Sequence, residues 1–294
     1  MAEGGGGSQS PATLFQARLK TDLAGVSSTL TLNRYQGDKV VVSGVTVVIP
    51  SGGLTRDVAD NLISGTGTDS GAAGAASTLY YVYVSNARAS FSPSSIRLSA
   101  TAPSLVNGVK YLGAAGNALN WRFVGWVRLN ATPQFESSLT ARLIVNYYNR
   151  LRLPLMANPA YVDDNAVTTY TVSSVTYVEL NGGVGARVNF ISNGEDETHL
   201  NGIFLTQVGA GFSALMGIGI DTVGGPEQCA IAGNAGINTT EATAYDEILA
   251  EGFHFAALLA LSNNGTPYTF FADFTRDGGA HDPRGTMVRG FING

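Results

Sequence analysis

The chain of 294 residues has one cysteine, three histidines and only 13 % charged residues. Each shortage excludes something. A single cysteine, Cys229, permits no internal disulfide. With no recognisable histidine context beside it, it reads as a small buried apolar residue. His199, His254 and His281 stand far apart, and none falls in HExxH or another metal-ligand spacing. His254, inside EGFHFAALLAL, reads as a core or edge histidine. No apolar run reaches about 18 residues, so no membrane span is predicted. The opening MAEGGGGSQSPATLFQ lacks the basic segment and apolar stretch of a secretory signal. No Gly-Lys-Ser/Thr occurs, which removes the P-loop. VGAGFSALMG around Ser213 lacks the second glycine of a nucleophile elbow, and GIGIDTVGG is not spaced as GxGxxG. There is no internal repeat, heptad or Gly-X-Y pattern, hence no solenoid, coiled coil or collagen-like shaft. Nothing calls for a cofactor or a metal, and the chain is not read as an enzyme. Without a Lys/Arg run, and with an isoelectric point near 5.2, it is not read as a nucleic-acid binder.

What remains is 44 % apolar residues and 37 glycines, with many Thr, Val and Tyr. That composition predicts an all-β fold with many tight turns. The charge is split. Up to Pro159, 13 Lys and Arg face 7 Asp and Glu; from Ala160 onward, 4 face 15. A bipolar chain suggests two domains with different neighbours. The expected organisation is an N-terminal anchoring arm over 1–29 and a β-rich docking domain over 30–155. A linker over 156–167 and a β-sandwich, jelly-roll-like outer domain over 168–294 follow.

Along the first part, PATLFQARLKTDLAG reads as a short helix or a docking arm. KVVVSGVTVVIP reads as strand–turn–strand, or as one strand bulged at Gly44. LTRDVADNLI has weak helical spacing. SGTGTDSGAAGAAS, Ser64 to Ser77, is a loop whose residues are all small or polar, with none to anchor it. The strand STLYYVYVSN follows. Extended, it puts Tyr81 and Tyr83 on one face and Tyr80, Val82 and Val84 on the other, so it is buried on both faces or sits at a subunit interface. In NWRFVGWVRLN, strict alternation puts Trp121, Phe123, Val127 and Leu129 on one side and Arg122, Trp126 and Arg128 on the other.

The second part reads as short strands at turn-bounded intervals, the signature of a sandwich. One helix candidate, TTEATAYDEILAEG, interrupts them. GEDETHL, with Glu195, Asp196, Glu197 and His199, is the densest charge cluster; it offers hard oxygen ligands to a cation but lacks the Asp-x-Asp-x-Asp spacing of a calcium loop, and reads first as an exposed hairpin tip. RDGGAHDPRG carries His281 on a loop, and Tyr268 is a loop aromatic.

LYYVYVSN, IRLSATAPS, KYLGAAGNALNWRFVGWVRLN and QFESSLTARLIVNYYNR, taken in succession, resemble a module of tailed-bacteriophage tail-fibre, head-fibre and minor structural proteins. The resemblance covers roughly residues 30–152, about two fifths of the chain. The ending GTMVRGFING resembles, more loosely, the last strand of small phage β-sandwich domains. The module brings no catalytic residues. It implies a virion component assembled in the host cytoplasm, usually a homotrimer, that meets the major capsid or tail proteins. Under that reading Leu14, Phe15, Arg18, Tyr81, Tyr83, Trp126 and Arg150 are partner-binding. Glu195, Asp196, Glu197, His199, Tyr268 and His281 face a receptor, which includes a host surface glycan. A receptor- or carbohydrate-binding module is the alternative, and a depolymerase the third reading.

Overall fold

The computed structural model describes residues 14–21, 25–86, 95–158, 169–183, 185–207, 213–232, 239–271 and 285–294. His281 and most of the expected linker lie outside them. The described chain is all-β, with two short 3-10 turns and no α-helix among the described residues. It divides into two compact units. Unit 1 holds residues 1–138, 143–151 and Gly294; unit 2 holds 139–142 and 152–293.

Unit 1 is built from short antiparallel strands. Ala17–Thr21, Thr29–Arg34 and Leu54–Asp57 form one sheet in that order. Two helical expectations are thereby corrected: Ala17–Thr21 and Leu54–Asp57 are strands. Leu19, Leu30 and Leu32 alternate inward into the core, and that period of two decides the matter over local propensity. Lys39–Val42 and Val45–Val48 form a hairpin, so the first reading of this stretch holds. Its two turn residues, Ser43 and Gly44, have φ of 48° and 76°, the paired positive values of a type I′ turn.

The larger sheet runs Ile96–Ser99, Leu79–Ser85, Trp121–Arg128, Val109–Tyr111, Ser104–Val106, with Ile144–Asn146 also paired to Trp121–Arg128. The tyrosine-rich strand is therefore central, and it is buried on both faces beyond Tyr81. The alternation expected for Trp121–Arg128 does not hold. Phe123 faces Tyr83, but Gly125 faces Val82 and Trp126 faces Tyr81. A β-bulge at Val124 shifts the phase by one. Val124 and Val127 join the aliphatic core, while Phe123 and Trp126 share the other face with Tyr81 and Tyr83.

The small-residue loop Ser64–Ser77 turns out to be anchored, through its backbone. Leu62 N–H donates to Ala72 O, Ser70 N–H to Leu62 O and Ser77 N–H to Asn130 O. Trp121 Nε1–H donates to Gly67 O at 3.3 Å, and Ala75 N–H donates to the Tyr80 hydroxyl at 2.7 Å. A Cβ at Gly67 would lie 3.0 Å from the Trp121 ring, at φ +82°. The residues are small so that the backbone can lie on the aromatic rings.

Unit 2 is a two-sheet sandwich. One sheet carries Gly252–Ser262 between Ala214–Ile220 and Arg187–Ser192, with Gln228–Ala232 beyond Ala214–Ile220 and Ala141–Arg142 parallel to Arg187–Ser192. The other runs Arg152–Ala157, Met287–Asn293, Thr198–Gln207, Tyr268–Phe271, Thr169–Val172. Thr239–Glu247 pairs with Thr198–Gln207 through nine residues, which corrects the expected helix: its Thr-Ala-Tyr content suits a strand once a ladder partner is present. Pro154 lies in Arg152–Ala157, at the margin of its sheet, where a missing N–H costs least. Cys229 is exposed on Gln228–Ala232, contrary to the buried reading.

Candidate functional site

The aromatic residues of LYYVYVSN, NWRFVGWVRLN and NYYNR come together in unit 1. Phe123 packs edge-on against Trp126 at 4.9 Å, and Tyr81, Tyr83 and Tyr147 lie 5.3–6.0 Å from Phe123. Trp126, Phe123 and Tyr83 are fully buried, and the Tyr83 hydroxyl donates to Thr101 O at 2.7 Å. The Lys110 ammonium sits 4.4 Å from the Tyr147 ring centroid and 5.8 Å from those of Phe123 and Trp126. Lys110 and Tyr147 are half-buried, where such cation–π contacts contribute about 1 kcal/mol. The Arg150 guanidinium lies 5.5 Å from the same Tyr147 ring.

NYYNR does more than add aromatics: it clamps the first strand. The buried Asn146 side chain accepts from Leu19 N–H at 2.6 Å and donates to Leu19 O at 3.3 Å, standing in for a peptide group. Asn149 Nδ2 donates to Phe15 O and Ala17 O. Tyr148 stacks on Phe15 at 4.4 Å and 24°.

Arg122, 1 % exposed, completes the clamp. Its Nη1 donates to Val41 O at 2.6 Å and to Leu14 O at 3.0 Å, and its guanidinium lies 4.7 Å from the Tyr148 ring. Burial pushes the Tyr148 hydroxyl above its usual pKa, partly offset by the Arg122 charge.

Of the seven residues expected to bind a partner, Leu14, Phe15, Tyr81, Tyr83, Trp126 and Arg150 thus belong to one network. Phe15 packs on Tyr148 of its own chain. Arg18 lies apart, donating to Gly294 O at 3.0 Å with its guanidinium over Tyr35. Burial lowers its pKa. Sequence reading missed Arg122, Lys110, Asn146 and Asn149. The NYYNR spacing was the available signal, but hydrogen bonding to a strand over 120 residues away has no sequence period.

The described members of the receptor-facing set fall in unit 2, at the Glu195–His199 turn and on the Tyr268–Phe271 strand. At the Glu195–Glu197 turn, Asn193 Oδ1 accepts from Glu195 and Asp196 N–H, and Asn193 Nδ2 donates to Asp196. His199 lies 2.6 Å from Asp246 Oδ1 and 3.5 Å from Glu197 Oε2, with Phe291 at 4.4 Å. Tyr268 is corrected: it opens a strand, is fully buried and donates to Ser213 O at 2.7 Å. Its apolar neighbours Phe270 and Val172 share that buried side. Among the described residues, no group of three or more His, Cys, Asp and Glu is arranged to hold a metal ion.

No family model matches the chain, and no curated protein matches it. Among solved structures, a structure of infectious bursal disease virus, Gx strain, aligns with a TM-score of 0.27 and 11 % identity, over 95 % of this chain and 77 % of that one. The VP2 subviral particle of the same virus aligns at 0.26 and 11 %, over 96 % and 79 %. A Bacillus thuringiensis Cry1Da tryptic core variant aligns at 0.23 and 10 %, over 96 % and 53 %. Likenesses at these TM-scores carry no argument about family or function.

Proposed function

We propose that the chain is a structural component of a bacteriophage particle, of the decoration, head-fibre or short tail-fibre kind, and not an enzyme. In this reading the arm expected over 1–29 is narrowed to residues 1–13, which lie outside the described residues, because Ala17–Thr21 and Thr29–Arg34 belong to a sheet. The basic first part docks on a capsid or tail protein, and the acidic sandwich is presented outward. The carrying observation is that one strand from each module stretch, Leu79–Ser85, Ile96–Ser99, Trp121–Arg128 and Ile144–Asn146, joins one aromatic sheet whose closing motif grips residues 15–19. Such a grip gives an arm a rigid base. Self-association as a homotrimer belongs to the same proposal.

The test is the molar mass of the purified chain by light scattering, alone and mixed with stripped particles. The expected result is a mass near three times 30.6 kDa and rebinding that is lost when residues 1–13 are deleted. A stable monomer with no affinity for particles would overturn the reading. A second reading, receptor or carbohydrate binding in host attachment, is favoured by a cleft of about 470 Å3 in unit 2, lined in part by Thr171, Ser173 and Asn181.

A further inference from the structure

In unit 2, the sheet built on Gly252–Ser262 carries a row of aliphatic side chains at one end of its outer face. Leu215 pairs with Ile231 on one side and with Leu261 on the other, and residues opposite one another in a ladder share a face. That face looks away from the sandwich, because Ala214, Met216 and Ile218, which alternate with Leu215, are the buried ones. Ile231 is 60 % exposed, and Leu215 and Leu261 are half-buried. Cys229, one row along and opposite Gly217, is exposed as well. Further along, the chain covers its own sheet: a Cβ at Gly217 would meet Pro226, and one at Gly219 the Thr222 carbonyl. That covering loop adds the exposed Val223. Val175, 64 % exposed, stands at the same end, where Ser174 O accepts from Ser262 N–H.

The row finishes on an open edge. Gln228–Ala232 pairs with Ala214–Ile220 and with no second strand among the described residues, so its other side offers N–H and C=O groups to a further strand. Such edges are commonly blunted by charge, proline or a bulge. QCAIA has neither charge nor proline, and its pairing with Ala214–Ile220 runs without a shift.

Charge decides what can cover this end. From Ala160 onward 15 Asp and Glu face 4 Lys and Arg, yet 173–178, Ala214–Ile220, Gln228–Ala232 and 258–267 contain none of the four. A charged partner docking here would shed hydration with no counter-charge to meet it. Two copies of an acidic unit, by contrast, approach with least repulsion through their neutral faces. An aliphatic, charge-free patch is also what the core of a homo-oligomer interface requires. We propose that this neutral end of the sheet, with the Gln228–Ala232 edge, is the surface through which the chain meets a second copy of itself. The proposal rests on the self-association in the reading above and names its surface.

The single cysteine makes the test direct. The full chain is followed by light scattering over a concentration series, together with the rate at which a maleimide labels Cys229. The expected result is an oligomer in which labelling is slowed relative to the dilute chain. Ile231→Asp would place a charge in the contact and should weaken self-association at least about a hundredfold. At so exposed a position it should leave circular dichroism unchanged. Val48→Asp, at an exposed valine of unit 1, should leave the mass unchanged. An oligomer that survives Ile231→Asp, with Cys229 labelled at the dilute rate, would overturn the proposal and leave self-association standing. A chain monomeric at every concentration would overturn both. A monomer whose rebinding to stripped particles is lost in Ile231→Asp would assign the face to another protein of the particle, and the proposal would fail.

Discussion

The two units bury similar apolar side chains but satisfy their backbones differently. In unit 2 the longest strands run 10 and 11 residues, Thr198–Gln207 and Gly252–Ser262, and their ladders pair most backbone groups directly. Among the described residues of unit 1 no strand exceeds eight residues and several have three. Short strands leave more N–H and C=O groups at ends and crossings, and buried ones must find partners. Unit 1 recruits side chains: Arg122 caps two carbonyls, Asn146 pairs both groups of Leu19, and Arg56 donates to Asn61 O and Asp60 O. A sheet of short strands held by long polar side chains depends on single residues, whereas a sandwich of long ladders spreads the load. Both tryptophans, Trp121 and Trp126, fall in unit 1. Tryptophan fluorescence therefore reports unit 1, while far-ultraviolet circular dichroism reports both.

The largest expected effect is Gly125→Ala. A Cβ there would lie 2.2 Å from Val145 O and 3.0 Å from Leu19. The contact is backbone in the centre of the sheet, so relief requires strands to separate, at a cost of about 3 kcal/mol. The tryptophan transition should move to lower denaturant while a second, tryptophan-silent transition stays. If both move together, the units unfold as one and the contrast drawn here fails. Next is Asn146→Ala, which leaves Leu19 N–H and C=O buried without partners, at about 2 kcal/mol. Hydrogen exchange should accelerate at Ala17–Thr21 before the rest of unit 1. Uniform acceleration would mean that the clamp is not local.

Much of this contrast was legible in residues, and some was not. The all-β class followed from composition, and KVVVSGVTVVIP showed its hairpin because the turn pair Ser43–Gly44 sits between two valine-rich runs. Among the segments that misled, three did so for different reasons. Ala17–Thr21 has no strong strand propensity of its own; it is a strand because Thr29–Arg34 and the Asn146 amide complete its ladder. NWRFVGWVRLN alternates cleanly on paper, but the Val124 bulge moves Trp126 to the Phe123 side, and a bulge is set by cross-strand packing. The Ser64–Ser77 loop looked unanchored because its anchors are peptide groups, which no side-chain reading displays. The aromatic cluster was half legible: its tyrosines and tryptophan stood out, while Arg122 and Lys110 looked like ordinary strand cations.

Alkaline pH should separate the units by a smaller margin. In unit 2 the Tyr245 hydroxyl is pushed up to about 12, first by burial and then by the Glu247, Glu227 and Asp221 carboxylates. An acid with a raised folded-state pKa contributes stability that is complete below its unfolded value near 10 and is lost as pH climbs toward 12. In unit 1 the Tyr148 hydroxyl is raised in the same way, and the Arg122 charge partly offsets the shift, so the loss there is smaller. Between pH 10 and 12 unit 2 should therefore weaken before unit 1. Tyr245→Phe should flatten its decline, followed by circular dichroism against tryptophan fluorescence. An earlier loss of the tryptophan signal would reverse the assignment.

The smallest effect tests the most conspicuous sequence feature. The His199 side chain is 29 % exposed and its carboxylate partners Asp246 and Glu197 are 58 % and 61 % exposed. Water and salt screen such a pair, and exposed ion pairs contribute under about 1 kcal/mol. The ring also rests on Phe291, so His199→Gln separates charge from packing better than alanine does. The expected shift in the tryptophan-silent transition is below about 1 kcal/mol, and it should shrink further in high salt. A larger, salt-independent loss would mean that the acidic turn is held by His199, and that unit 2, like unit 1, hangs on single polar residues. The difference between the units would then be one of degree.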